Sequence, residues 1–307
     1  MTSALWLNGD DVHDALDAFE PVAPLVEELL AGDGGQPPAA TGSYRGQEVL
    51  IVEDPAMAVS FVLSRRAVHR IHRAGLTAAV ARRLVGPTAA TICIVGSRES
   101  ATVHMTMLAK RLENVAHVAA CVLGDAADRS VAPGTLDDLF MAGVSLSVGN
   151  NVNEALFGAN LVVIDTAGVE LRVDWASPRA VIVNTSGQDL PAAVVERAAT
   201  VYVDDLRLLP EHQHRDFVRR NRTGCASSNG RPRGRPRGHR AAPDIGDLKT
   251  LLRGDRCAPP FPARFVLVEL LSVGTISRRF ALGIGRAALN LGLGQRIDNP
   301  RPRQHGE

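Results

Sequence analysis

Residues 90–95 form the apolar run ATICIV, which stops at Gly96, and Ser97, Arg98, Glu99 and Ser100 open a stretch with helical character that reaches Leu112. A strand that ends at glycine and turns directly into a helix is where a dinucleotide's pyrophosphate can rest, on the helix N-terminus. One glycine allows the tight turn, and a second lets the backbone approach the phosphates. Gly96 can make the turn. Arg98 stands at the close-approach position, where a side chain crowds the phosphates unless it swings outward and pairs with one. Ser97 and Ser100 can donate hydrogen bonds, Ser100 is placed to cap the helix, and Glu99 adds negative charge. On these residues alone the stretch reads either as a nucleotide loop or as a plain strand-to-helix turn. Asp125 and Asp128 follow the next strand, where a ribose-binding carboxylate belongs; they read equally well as a solvated acidic turn.

The elements that must position this loop come from the apolar pattern. From Thr88 onward the chain alternates strand and helix. Strands are expected at 90–95, 117–123, 144–148, 161–165, 180–184 and 200–204, with helices at 100–112, 151–157 and 190–198. That alternation predicts an α/β fold with a doubly wound parallel sheet, in which ligands bind at the carboxyl ends of the strands. Before it, Leu16, Phe19, Val22, Leu25, Val26 and Leu29 recur at helical spacing, Gly/Pro-rich 31–46 breaks the pattern, 47–63 reads as two strands around a turn at Asp54-Pro55, and 64–86 reads as a helix. After it come a short helix near 247–252, an apolar strand at 265–271 and a last helix at 277–291.

At 307 residues, 45% hydrophobic and 22% charged, the chain can bury the core of one large or two medium domains. Aromatics are only 4%, so the core rests on Val, Leu, Ile and Ala. A net charge of +1 exerts no global pull on nucleic acid or membrane. The only lysines, Lys110 and Lys249, lie in no catalytic context. Cys93, Cys121, Cys225 and Cys257 show no metal-ligand spacing, and free thiols in a reducing cytoplasm are expected. No secretory signal or membrane span is expected. His69 and His72 on an arginine-rich helix, and His212 and His214 in a polar loop, read as solvated residues; the first pair lacks a third ligand, and no metal site is expected.

The order of segments resembles the ornithine cyclodeaminase/mu-crystallin family of NAD(P)-dependent enzymes. "VLIVEDPAMAVSFV" is similar to its strand pair before the cofactor domain, and "GLTAAVARRLVGPTAATICIVGSRESA" to its Arg-Thr-Ala-Ala helix and Gly-x-Gly-x-Gln-Ala loop. "FGANLVVIDTAG", "RAVIVNTSGQDLPAAVVERAATVYVDD", "GDLKTLLRG" and "VGTISRRFALGIGRAALNLGLGQRI" resemble the segments that follow, so the likeness spans about Val49 to Ile297. It implies a Rossmann-like doubly wound parallel sheet over 87–271, binding NAD or NADP. It also implies a discontinuous α+β dimerisation and substrate domain built from 1–86 and 272–307, the latter a returning helix and tail. The implied activity is hydride transfer on an amino acid or cyclic imine, with a small amine, imine or amino-acid substrate, in a cytoplasmic homodimer. Gly96, Ser97, Arg98, Ser100, Ala101, Asp125, Thr166, Ala167, Ser186 and Gly274 fall at its cofactor positions.

The departures concern the substrate. The arginine that holds the substrate carboxylate is Leu76 here, and leucine cannot make that ion pair. Arg73, one helical turn earlier, is the candidate replacement. The family's substrate lysine has no counterpart. Its catalytic aspartate falls in "NTSGQDLP", where Asp189 is the candidate, or else the cap of the following helix. Arg98 replaces the second glycine, and Ser100 the glutamine.

Residues 221–243 are low-complexity and basic. Within them, "GRPRGRPRG" at 230–238 resembles an AT-hook, with Arg231, Arg233, Arg235 and Arg237 shaped for a narrow minor groove; the bland reading is a disordered surface insertion. "GIGRAALNLGLG" lies in a helical pattern and reads as close packing. Three functions remain open: an NAD(P)-dependent oxidoreductase, a non-catalytic homologue serving as a binding or scaffold protein, and a DNA-associated protein acting through the basic loop.

Overall fold

A computed structural model describes residues 3–31, 38–124, 130–225, 243–254, 264–271 and 275–297. The chain divides into two compact units, Met1–Leu76 with Val273–Glu307, and Thr77–Ser272. Asp125, Asp128, Cys257, Gly274 and the AT-hook-like arginines lie outside the described residues.

In the first unit, β1 (Ser3–Leu7), β2 (Ala40–Tyr44), β3 (Gln47–Asp54), β4 (Val59–Ser64) and β13 (Gln295–Ile297) pair in the order β13-β1-β4-β3-β2. Only β1 and β4 run parallel. Helices α1 (Gly9–Asp14), α2 (Val22–Ala31) and α10 (Arg278–Asn290) belong to this unit, and the long α3 (Arg65–Leu84) starts in it. The expected strand pair around Asp54-Pro55 and the helix after it are present. β2 is not visible in the sequence pattern: its residues, ATGSY, sit at a sheet edge with partly exposed faces, so no apolar alternation marks it.

Asp54 is buried at 1% exposure and takes two hydrogen bonds from Arg286, at 2.6 and 3.1 Å. That guanidinium holds the Asp54 carboxyl below its usual range. His72 is a correction to the expected solvated histidine. It is buried and packs edge-on against Phe280 at 5.4 Å, and burial pushes its pKa down to about 3. The arginines flanking it in sequence conceal that it lies on the buried face of α3.

The last helix confirms close packing. A Cβ at Gly285 would lie 2.5 Å from the Phe61 ring, and one at Gly283 would lie 2.5 Å from Phe19. Phe61 is fully buried.

In the second unit, β5 (Ala90–Gly96), β6 (Val115–Val122), β7 (Ser145–Gly149), β8 (Leu161–Ile164), β9 (Val181–Asn184), β10 (Thr200–Val203), β11 (Asp244–Asp247) and β12 (Val266–Glu269) form a parallel sheet. Its order is β11-β10-β12-β9-β8-β5-β6-β7. Strands β8, β9 and β12 are buried at every position, as parallel strands covered on both faces must be. Each fully buried Val, Leu or Ile contributes about 1.5–3 kcal/mol. The helices are α4 (Arg98–Arg111), α5 (Pro133–Met141), α6 (Val152–Leu156), α7 (Ala192–Arg197), α8 (Asp216–Cys225) and α9 (Leu248–Arg253). The expected strands and helices appear within a few residues of their sequence bounds. α5, α8 and β11 were not expected, and the last residues of α8, through Cys225, fall in the stretch read as low-complexity.

Gly285→Ala should lower the melting temperature. The forced contact with Phe61 costs about 1–3 kcal/mol, and the gain in helix propensity returns at most about 1 kcal/mol. An unchanged or higher Tm in thermal unfolding would show that Phe61 has room to shift.

Candidate functional site

The switch point of the parallel sheet lies at β5. From β5 the chain builds outward through β6 and β7 on one side, and returns through β8 and β9 on the other. In this topology the crevice at the carboxyl ends is the ligand site. A cleft of 520 Å³ opens there, lined by Leu123 after β6, Asn150–Asn153 after β7, and Ala167, Gly168, Val169 and Glu170 after β8. That volume suits part or all of a cofactor-sized molecule.

The turn after β5 is built differently from expectation. Ser97, not Ser100, caps α4: its hydroxyl accepts from the Ser100 amide at 3.3 Å. Ser97 holds the extended backbone a cap needs, while Ser100 is already two residues into the helix. Arg98 is the first residue of α4 and is exposed, as is Glu99. Ser100 is buried at 1% exposure and Ala101 fully buried. The Ser100 hydroxyl donates to Asp165 Oδ2, and the Thr185 hydroxyl donates to Asp165 Oδ1 at 2.6 Å. His104 Nδ1 approaches the Ser100 carbonyl at 3.0 Å. The backbone at Gly96 is not in the left-handed region, so the turn itself does not call for glycine; what glycine allows there is close packing, since a Cβ would lie 3.3 Å from the Asp165 Cβ.

A second polar cluster closes the ends of β9 and β12. Arg215, 1% exposed, contacts Glu269 through Nη2, donates to the Gly187 carbonyl at 2.7 Å, and ion-pairs with Asp189 at 2.9 Å. The Asn184 amide donates to Glu269 Oε2 at 2.9 Å and to the Gln188 carbonyl at 2.8 Å. The Ser186 hydroxyl donates to Asn184 Oδ1 at 2.7 Å. The loop from Thr185 to Asp189 is thereby clamped from below. Burial outweighs Arg215 and Asn184 and pushes the Glu269 pKa up to about 8. Asp204 is buried, and its carboxylate accepts the Leu271 amide at 2.7 Å.

Of the residues singled out by sequence, Gly96, Ser97, Arg98, Ser100 and Ala101 make the β5–α4 turn, Thr166 and Ala167 follow β8, and Ser186 follows β9. Ala167 also lines the cleft. Asp189 does not cap the next helix: α7 has Pro191 at its start and no side-chain cap, whereas Asp189 accepts the Asp216 amide at 3.3 Å and pairs with Arg215. Arg73 lies on α3 in the first unit, and Leu76 is buried at 3%. Asp165, Thr185, Asn184, Arg215 and Glu269 were missed. A polar residue directly after an apolar strand was the available signal for the first three and for Glu269; Arg215 sits in a polar stretch that carries none. Cys93 and Cys121 are buried, and burial raises the Cys93 thiol pKa, so neither serves as a nucleophile. Among the described residues no group of three His, Cys, Asp or Glu could hold a metal, and no helix is long and apolar enough to cross a membrane.

Compared by sequence, the chain matches no protein-family model and no curated protein. Solved structures do match. CmnK aligns over 97% of this chain and 99% of its own, at 19% identity and TM-score 0.62. The Thermococcus litoralis Δ1-pyrroline-2-carboxylate reductase, in complex with NADH and L-proline, aligns over 95% and 100% at 11% identity and TM-score 0.61. A probable ornithine cyclodeaminase from Bordetella pertussis Tohama I aligns over 93% and 96% at 14% identity and TM-score 0.58. The chain has the ornithine cyclodeaminase fold. The alignments cover both of its units and nearly all of each matched structure, and the fold is that of the family its sequence resembles.

Glu269 binds its proton more tightly in the folded chain than at its ordinary value of 4.5, so its contribution to stability is complete below about pH 4.5 and falls as pH rises toward about 8. Glu269→Gln should flatten that decline in denaturant unfolding measured across the window. Arg215→Met should cost about 3–5 kcal/mol at pH 9, where it strands a buried carboxylate, and less at pH 6. An equal loss at both pH values would refute the pairing.

Proposed function

We propose that the chain is a divergent ornithine cyclodeaminase/mu-crystallin family member, an NAD(P)-dependent oxidoreductase that interconverts an amine and an imine on an amino acid or cyclic imine. The observation that carries this reading is the cleft at the switch point, beside a glycine turn into α4, in a fold shared with structures holding NAD or NADH. The residues fit the group. The exposed Arg98 offers a guanidinium to a phosphate, and the first turn of α4 presents the positive end of the helix. Ala167 and the asparagines after β7 line space for the remainder. The bound nicotinamide supplies or accepts the hydride. The chain's own part is to hold the cofactor and to keep the β9–α7 loop rigid through Arg215, Glu269 and Asn184, so that Ser186 and Thr185 stay fixed at the sheet end. In this proposal the second unit binds the cofactor, the first serves substrate binding and homodimer formation, and the protein works in the cytoplasm.

A second reading has its own support. Leu76 is buried where the family holds the substrate carboxylate, and Asp189 is occupied by Arg215. A homologue that keeps the fold as a binding or scaffold protein would look this way, as would an enzyme whose substrate has no free α-carboxylate.

The test is turnover with NADH or NADPH and a panel of cyclic imines, and with NAD or NADP and L-alanine, L-ornithine, L-lysine and L-proline, followed by nicotinamide absorbance. Substrate-dependent change with any of them is the expected result. Tight nucleotide binding without turnover, extended to amides and esters of the same amino acids, would favour the binding-protein reading.

A further inference from the structure

The first turn of α4 already holds an anion that belongs to the chain. Asp165 follows β8, and its amide donates to the Val95 carbonyl of β5 at 2.9 Å, so its backbone is fixed beside the glycine turn. Its stem packs against Gly96, 3.3 Å from where a Cβ would be. Both carboxylate oxygens are taken by hydroxyl donors: Oδ2 by Ser100, the third residue of α4, and Oδ1 by Thr185, after β9. Ser100 and Thr185 are 1% and 0% exposed, and neither can turn away to water. Three adjacent strands therefore converge on one carboxylate at the positive end of a 14-residue helix.

A pyrophosphate bound by this turn and the Asp165 carboxylate carry the same sign of charge within the same helix field. Like charges a few ångströms apart at a partly shielded site oppose each other strongly. Glu99 adds to the opposition, and Arg98, exposed on the first residue of the same helix, puts a cation on the same turn.

We propose that Asp165 sets the affinity of this site for its dinucleotide, acting as an internal competitor for the positive end of α4, with Arg98 as its compensating charge. The proposal rests on the cofactor reading above. It makes one negative charge, rather than the shape of the turn, the limit on cofactor affinity. Asp165→Asn keeps the shape of the side chain and removes the charge, and the Ser100 and Thr185 hydroxyls can rotate to suit an amide.

The experiment is equilibrium titration of the full chain with NADH and with NADPH by nucleotide fluorescence, using wild type, Asp165→Asn and Arg98→Gln. Asp165→Asn should bind at least tenfold more tightly than wild type, and Arg98→Gln several-fold more weakly. Arg98 is exposed, so its variant folds whatever becomes of the other. Binding by Asp165→Asn alone, with none by wild type, also supports the proposal. Wild-type binding that Asp165→Asn leaves unchanged or weakens overturns it while the cofactor reading stands. Unaltered binding by Arg98→Gln overturns the compensating role. No binding of either nucleotide by any of the three proteins removes the cofactor reading and this proposal together.

Discussion

The central sheet of the second unit is parallel and covered on both faces, and this constraint organises the rest. Strands such as β8, β9 and β12 have no solvent face, so every residue within them is apolar or matched to a partner, and polar groups are confined to their ends. Because all the strands run the same way, one set of ends collects at a single rim. Gly96, Asp165, Asn184 with Thr185, Asp204 and Glu269 come to that rim from five separate stretches of sequence. The rim is where the chain can do chemistry, because it is the part of the sheet that packing does not dictate.

Two polar clusters use that rim in opposite ways. The Arg215–Glu269–Asn184 cluster is buried, and its members pair with one another: Arg215 reaches both acidic partners and a loop carbonyl, and Asn184 ties Glu269 to the Gln188 carbonyl. A buried pair of this kind adds little net stability over an apolar replacement, but it fixes a loop in one conformation. The Ser100–Asp165–Thr185 cluster sits at the mouth of the glycine turn and leaves Arg98 exposed beside it. One cluster stiffens the loop after β9, and the other holds a carboxylate beside the turn after β5.

The first unit depends on close approach rather than on polar design. Gly283 and Gly285 let α10 come down onto Phe19 and Phe61, and Arg286 on the same helix reaches the buried Asp54 at the turn between β3 and β4. With aromatics so scarce in the chain, each ring in this core carries a large share of the contact.

The sequence by itself determined the architecture. Apolar runs too continuous for a half-exposed strand, alternating with helical spacing, specify a buried parallel sheet, and the break at Gly96 marks its switch point. The glycines of the last helix were legible as packing for the same reason: glycine inside a helix costs stability and is kept where a neighbour needs the room. What only the tertiary structure decided is how the charged and polar residues are used. Asp165 and Ser100 are 65 residues apart, and Arg215 and Glu269 are 54 apart. No local spacing records those pairings. Ser97 rather than Ser100 became the cap because one residue of backbone geometry selects between two adjacent hydroxyls, and His72 went inside because α3 turned that face of an arginine-rich helix toward Phe280. Periodicity encodes which face of an element is buried, whereas a side-chain partner is chosen by whichever strand end the fold brings alongside.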